Sequence, residues 1–175
     1  MTVKSTQELE PIPPTSFRDW TVFLATGAWL GRFPFAPGTV GTLWGIPLAW
    51  GIGQLPSPWI QALVIAAICG AGVPLCTAAV RRLGGAKDPG CIVFDEIASL
   101  PITFFLVPMN HWLVVVVGFL LHRLFDITKP PPARQLEHLP NGLGIMADDW
   151  AAGVYSGLAL HLLIWINPFG QFGGA

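Results

Sequence analysis

Ten carboxylates occur in this chain of 175 residues, and four of them stand as adjacent pairs in apolar surroundings. Asp95 and Glu96 lie within the run from Cys91 to Leu100, and Asp148 and Asp149 lie between Met146-Ala147 and Trp150. A charged side chain at membrane depth costs a few kcal/mol or more, and two neighbours double the cost unless a cation lies between them. Mg²⁺ fits such a place: it takes oxygen ligands, keeps several waters and is commonly held by one or two carboxylates together with substrate phosphate. A simpler reading exists for Asp148–Asp149, which stand at the start of an apolar stretch and would suit the positive end of a helix. It is harder to apply to Asp95–Glu96, several residues inside their run.

Between the pairs lies the segment Phe119–Pro132. Arg123 and Asp126 are three residues apart and share one face of a continuing helix, while Lys129 precedes Pro130, where that helix must end. Arginine can grip a phosphate with two N–H groups and lysine can act as a point charge. An Arg123–Asp126 ion pair with Lys129 as a cytoplasmic anchor explains the same residues without a ligand. A third element, Pro34–Thr42, carries Gly38 and Gly41, where backbone could approach a ligand, and Thr39 and Thr42 just before a helix start, a place that suits an anion. No lysine follows the glycines, so it is not a Walker A loop, and a Pro/Gly turn with a threonine cap accounts for it equally well.

Other phosphate chemistries find no footing. No cysteine is followed by an arginine in a phosphate loop, and the acidic triplet of aspartyl-phosphate enzymes is absent. His111 falls in a turn, His161 lies deep in the last apolar stretch, His138 has no evident partner, and His122, beside Arg123, is the one well-placed histidine. Metal-assisted attack by water is a simpler expectation than a histidine nucleophile.

The elements that must position these groups are apolar. Hydrophobic residues make up 53% of the chain and charged residues 11%, with a mean hydropathy of +0.59, against about 25% charged in an ordinary soluble domain. A net charge of -1 and the lack of a basic stripe exclude a nucleic-acid partner. Cys69, Cys76 and Cys91 show neither a CxxC pair nor a zinc spacing. Residues 1–16 read as a flexible polar tail without a secretory signal, residues 17–167 as one helical domain and residues 168–175 as a short tail. Five apolar stretches, Val40–Leu55, Trp59–Val80, Ile92–Val107, Trp112–Leu124 and Trp150–Ile166, predict an all-α, polytopic membrane protein; a shorter one, Trp20–Leu30, predicts an interfacial or re-entrant helix.

Charge placement supports the membrane reading over a soluble bundle. If all five stretches cross from a cytoplasmic N-terminus, the outward segments Gly53–Pro58, Pro108–His111 and the tail after Ile166 hold no Lys, Arg, Asp or Glu. All nine basic residues then face inward, as the positive-inside rule requires. Trp44, Trp50, Trp59, Trp112, Trp150 and Trp165 lie near stretch ends, where interfacial aromatics belong.

Four segments, Ala36–Thr42, Asp88–Glu96, Arg123–Pro130 and Gly142–Asp149, together resemble the phosphatidylglycerophosphatase A family in order and spacing, over about Gly31 to Trp165. The resemblance implies a helical enzyme of the bacterial inner membrane that uses Mg²⁺ to remove the terminal phosphate of phosphatidylglycerophosphate. Its functional positions, carried onto this chain, are Asp88, Asp95, Glu96, Asp126, Asp148, Asp149, Arg123 and Lys129. The expected roles are Asp95, Glu96 and Asp149 on the metal, with Asp148 or Asp88 as further ligands, and Arg123 and Lys129 on the phosphate. The Gly38–Thr42 turn would touch phosphate or glycerol, and Asp126 would orient Arg123 or act as a base. The substrate is then a phospholipid at the cytoplasmic face, and no protein partner is expected. The competing class is a small cation transporter that uses intramembrane carboxylates. A lipid phosphotransferase would show a DGxxAR-type signature, which is absent.

Overall fold

A computed structural model describes residues 19–85 and 89–166. Among these residues there is no strand, as the apolar patterning led us to expect. The helices are α1 (Trp20–Ala25), α2 (Pro37–Gly53), α3 (Pro58–Arg82), α4 (Phe94–Thr103), α5 (Trp112–Thr128), α6 (Ala133–Leu136) and α7 (Gly142–Ile166), with a single 3₁₀ turn at Leu30–Arg32. The two expected tails, 1–16 and 168–175, lie outside the described residues.

Local chemistry sets the boundaries. Pro37 and Pro58 open α2 and α3 at positions where a missing N–H costs nothing. Arg81 and Arg82 close α3, where the carbonyl end of the helix favours positive charge. Asp19 caps α1, its Oδ1 accepting from Thr21 N at 3.0 Å. The same carboxylate pairs with Arg82 at 2.5 Å and so ties α1 to the end of α3. α5 stops at Lys129, which takes a left-handed conformation ahead of the prolines.

Among the described residues two helices, α3 and α7, are long and apolar enough to cross a membrane. Only 33% of the most apolar stretch of each is buried, so most of it faces outward, unlike an enclosed core helix. The sequence led us to expect five crossings. α4 cannot be one of them by length, since its 10 residues reach about 15 Å, half the ~30 Å hydrocarbon layer. α2 and α5, at 17 residues each, lie at the lower limit for a span. The shortening of the third stretch has a plain cause: it begins in a loop at Cys91 and Ile92 and ends at Phe104, before the turn that leads to α5.

α4 is the hub, packed against α2, α3, α5 and α7. Its Ala98, Ser99, Leu100, Pro101 and Thr103 are fully buried or nearly so. Small residues on its neighbours make the approach possible. A Cβ on Gly45 of α2 would come 2.8 Å from Leu100 Cβ, and one on Gly153 of α7 would come 2.9 Å from both Ile102 Cβ and Ser99 O. A chain of polar side chains then joins three helices. His122 of α5, with no exposed surface, lies 3.3 Å from Ser99 Oγ through Nε2 and 3.0 Å from Thr103 Oγ1 through Nδ1, and Thr103 Oγ1 lies 2.6 Å from Ser156 Oγ of α7. The histidine that the sequence singled out beside Arg123 is therefore a core residue whose two ring nitrogens are both engaged.

Replacing Gly153 by leucine should force α7 away from α4, a form of overpacking worth about 1–3 kcal/mol. The expected outcome is a clearly lower thermal midpoint in detergent, whereas Gly51→Ala, where a Cβ meets nothing within 4 Å, should not lower it.

Candidate active site

Asp95 and Glu96 occupy the first turn of α4, where unpaired backbone N–H groups favour negative charge. Asp149 faces them from α7. One carboxylate oxygen from each of the three lies within 4.8 Å of the others. α7 begins at Gly142, whose N–H donates to Thr77 Oγ1 at 2.9 Å. Asp148 and Asp149 are thus well inside the helix, at 7% and 3% exposure, and the helix-start explanation fails for them. It applies instead to Asp95 and Glu96, which the sequence placed inside a longer run.

These carboxylates are not answered by protein donors alone. Asp95 Oδ1, Glu96 Oε2 and Asp148 Oδ1 are buried and have no hydrogen-bond partner, and such atoms are rare in folded proteins without an ion or water to satisfy them. An all-oxygen set of adjacent carboxylates fits a hard divalent cation such as Mg²⁺, with Asp95, Glu96 and Asp149 as its holders. Asp88, the fifth expected ligand, lies outside the described residues.

Arg123 stands on the other side of Glu96. Its NH1 donates to Asp126 Oδ2 at 2.5 Å and to Thr42 Oγ1 at 3.4 Å, and lies 3.7 Å from Glu96 Oε1. The expected three-residue Arg–Asp pair is present. Arg123 Nε is buried and unpartnered, so one donor of the guanidinium remains for a ligand. Asp126 is also a close charged neighbour of Asp149.

The Gly38–Thr42 segment differs from its expected form. α2 already starts at Pro37, so Thr39 and Thr42 lie inside its first turns and neither caps it. The cap residue is Ala36, in a left-handed conformation and without a capping side chain. Thr42 Oγ1 donates back to Gly38 O at 2.9 Å. A Cβ on Gly38 would collide with Glu96 Oε1 and approach Arg123 NH1 to 3.4 Å, and one on Gly41 would come 2.7 Å from Val93 Cβ and 3.3 Å from Glu96 Oε2. The two glycines therefore let the open N-terminus of α2 lie directly against Glu96 and Arg123. Helix starts of this kind suit anions.

Lys129 reaches the site from the end of α5. Its Nζ donates to Asp148 Oδ2 at 2.6 Å and to Glu137 Oε2 at 2.9 Å. Burial alone would lower its pKa, but hydrogen bonds and the charges of Asp148 and Glu137 outweigh that and hold it above the ordinary lysine value. It remains charged throughout the physiological range. The sequence did not single out Glu137, whose place eight residues after Lys129 in a polar loop carries no periodic signal. It meets the lysine because α6 folds back on α7.

The region that holds these residues is similar to known proteins. The profile of the family described as Phosphatidylglycerophosphatase A matches residues 23–164. A phosphatidylglycerophosphatase A of Escherichia coli is 38% identical over 84% of this chain and 85% of its own. One of Haemophilus influenzae is 36% identical over 85% of this chain and 91% of its own. A putative phosphatidylinositol-3-phosphatase of Bacteroides thetaiotaomicron is 34% identical over 83% of this chain and 94% of its own. No solved structure matches this chain.

A bound divalent cation should stabilise the fold by mass action, by about 2.7 kcal/mol at a hundred times its dissociation constant. Addition of Mg²⁺ to chelator-treated protein should therefore raise the thermal midpoint, and Asp149→Asn should remove most of that rise. An equal rise in the variant would place the cation elsewhere.

Proposed function

The chain belongs to the phosphatidylglycerophosphatase A family, and from that premise we propose that it hydrolyses the terminal phosphate monoester of phosphatidylglycerophosphate, giving phosphatidylglycerol, with Mg²⁺ as cofactor. The observation that carries this reading is the convergence on one spot of three carboxylates, the guanidinium of Arg123 with a free Nε–H, and the uncapped start of α2. A phosphate group asks for that combination: positive charge from Arg123 and from a cation held by carboxylates, and backbone N–H groups for its oxygens.

Asp95, Glu96 and Asp149 would hold the Mg²⁺, with Asp148 and Asp88 as further ligands. When bound, the ion offsets phosphate charge and lowers the pKa of an attached water. Arg123 grips the phosphate oxygens, and Asp126 keeps the guanidinium in place or accepts the proton of the attacking water. Lys129 balances Asp148 and Glu137 and extends positive potential to the phosphate. Gly38, Thr39, Gly41 and Thr42 bring the start of α2 against the phosphate or the glycerol. The water oxygen forms the new bond to phosphorus, the bond from phosphorus to the glycerol oxygen breaks, and that oxygen takes up a proton. The products are inorganic phosphate and the lipid alcohol.

The same arrangement suits a substrate anchored in a bilayer. α3 and α7 are long and apolar enough to cross it, and the positive-inside rule favours a site facing the cytoplasm at the bacterial inner membrane. Cation transport draws no comparable support. The acids gather at one end of α4, and the polar side chains beyond them, Ser99, Thr103 and Ser156, are consumed by His122 and by one another.

Detergent-purified protein should release phosphate from phosphatidylglycerophosphate with Mg²⁺ and stop when a chelator is added. Asp149→Asn and Arg123→Ala should each lower the rate by about 10²–10³, the usual cost of losing a group that stabilises transition-state charge. Phosphatidylinositol 3-phosphate, offered in parallel, reads the headgroup preference. No release from folded wild-type protein with either lipid would overturn the proposal.

A further inference from the structure

We propose that a groove along α3 receives one acyl chain of the phospholipid substrate. This assignment rests on the lipid-phosphatase reading above and extends it from the headgroup to the tails. The groove has a volume of about 460 Å³, within the ~300–1,000 Å³ of small-ligand sites. Ala62, Ala66 and Gly70, spaced four apart on one face of α3, form its floor, and Ile102, Phe105 and Trp150 stand as its walls. Among the described residues no charged one lines it.

Gly70 shows that the space is not tight packing. A Cβ there would meet nothing within 4 Å, whereas at Gly45 and Gly153 it would strike α4. The glycine leaves open space beside an apolar wall in the middle of a helix long enough to span a bilayer. The groove also begins in the right place. Trp150 follows Asp149 directly, so one wall is continuous with the cation-holding helix turn. From there the floor runs about 12 Å along α3 toward Pro58, away from Arg81 and Arg82 and into the hydrocarbon.

A second observation points to a lipid rather than a purely apolar filler. Trp150 Nε1 is buried with no oxygen or nitrogen partner, and the Cys69 thiol, a weak acceptor, is the group it meets. Trp150 lines the groove and follows Asp149 in the chain, so the ester carbonyl at the head of an entering acyl chain would meet it. An indole N–H held only by a thiol beside an apolar channel can be taken over by that stronger acceptor. The other occupant that small residues four apart can accommodate is a helix of a second copy. Phe105 and Trp150 flank the floor with large side chains, however, and two packed helices need their axes within about 8–10 Å. A single hydrocarbon chain needs less room between those walls than a helix does.

The test fills the groove. Gly70→Leu and Ala66→Phe, made in the full chain, place side chains into the channel without touching the acid cluster. Phosphate release is measured on dioleoyl- and dihexanoyl-phosphatidylglycerophosphate, which share a headgroup and differ in tail length. The ratio of kcat/KM for the long-chain over the short-chain substrate should fall about tenfold in each variant, the equivalent of excluding roughly two buried methylenes. A diazirine carried in the acyl chain should label the Ala62–Gly70 region in wild type and label it less in Gly70→Leu, a readout that does not depend on turnover. Unchanged ratios with unchanged labelling would overturn the assignment, as would a change in oligomeric state with no change in chain selectivity. Failure of the phosphatase reading would look different: wild-type protein would release phosphate from neither substrate.

Discussion

Gathering like charges in an apolar protein is the constraint on which the rest of this structure depends. Three carboxylates stand within 4.8 Å of one another in a chain whose exterior is studded with exposed Leu, Val, Ile and Trp. Such a cluster persists only if every nearby element contributes compensation. The N-terminus of α4 meets Asp95 and Glu96, Arg123 bridges Glu96 and Asp126, and Lys129 answers Asp148. What these leave unanswered, the bare oxygens of Asp95 and Glu96, is what a cation and a phosphate are suited to complete. The destabilising part of the fold and its chemical capability are the same atoms.

The packing serves that end. α4 has to sit centrally so that its first turn can face α2, α5 and α7 at once, and it can do so because α2 and α7 present glycines to it. The His122–Thr103–Ser156 chain fixes its depth by hydrogen bonds, which are directional where hydrocarbon contacts are not. Register matters here. A slip of one residue along α4 would turn Asp95 and Glu96 by about 100° and scatter the cluster.

Residue chemistry made the site legible in the sequence, whereas geometry hid its details. Asp95, Glu96 and Asp149 could be grouped because adjacent carboxylates in apolar runs are costly, and Arg123–Asp126 because a three-residue spacing shares a helix face. The reading of helix starts went astray in both pairs. Apolar periodicity sees Trp150 as the beginning of a stretch, but Gly142–Ala147 are already helical because Thr77 anchors the first N–H from a neighbouring helix. Likewise Ile92 and Val93 look like helix yet are buried loop, held by Val93 N donating to Ala25 O at 3.0 Å. Both errors come from contacts between distant segments, as does the pairing of Lys129 with Glu137. Hydropathy gave five stretches where two of the described helices are long and apolar enough to cross, because a run that is apolar throughout can be a short helix enclosed by others as readily as a span.

The shortness of α4 bears on how the protein is made. The ribosome delivers Asp95 and Glu96 before Arg123, and Ser99 and Thr103 before His122 and Ser156. A ten-residue helix carrying two carboxylates cannot enter lipid by itself while those partners are still unsynthesised. It can take its place only after α5 and α7 have emerged. The acid-bearing core is then the last part to assemble, and a chain truncated before α7 would leave its acids exposed as a mark of incompleteness that proteases and chaperones can read.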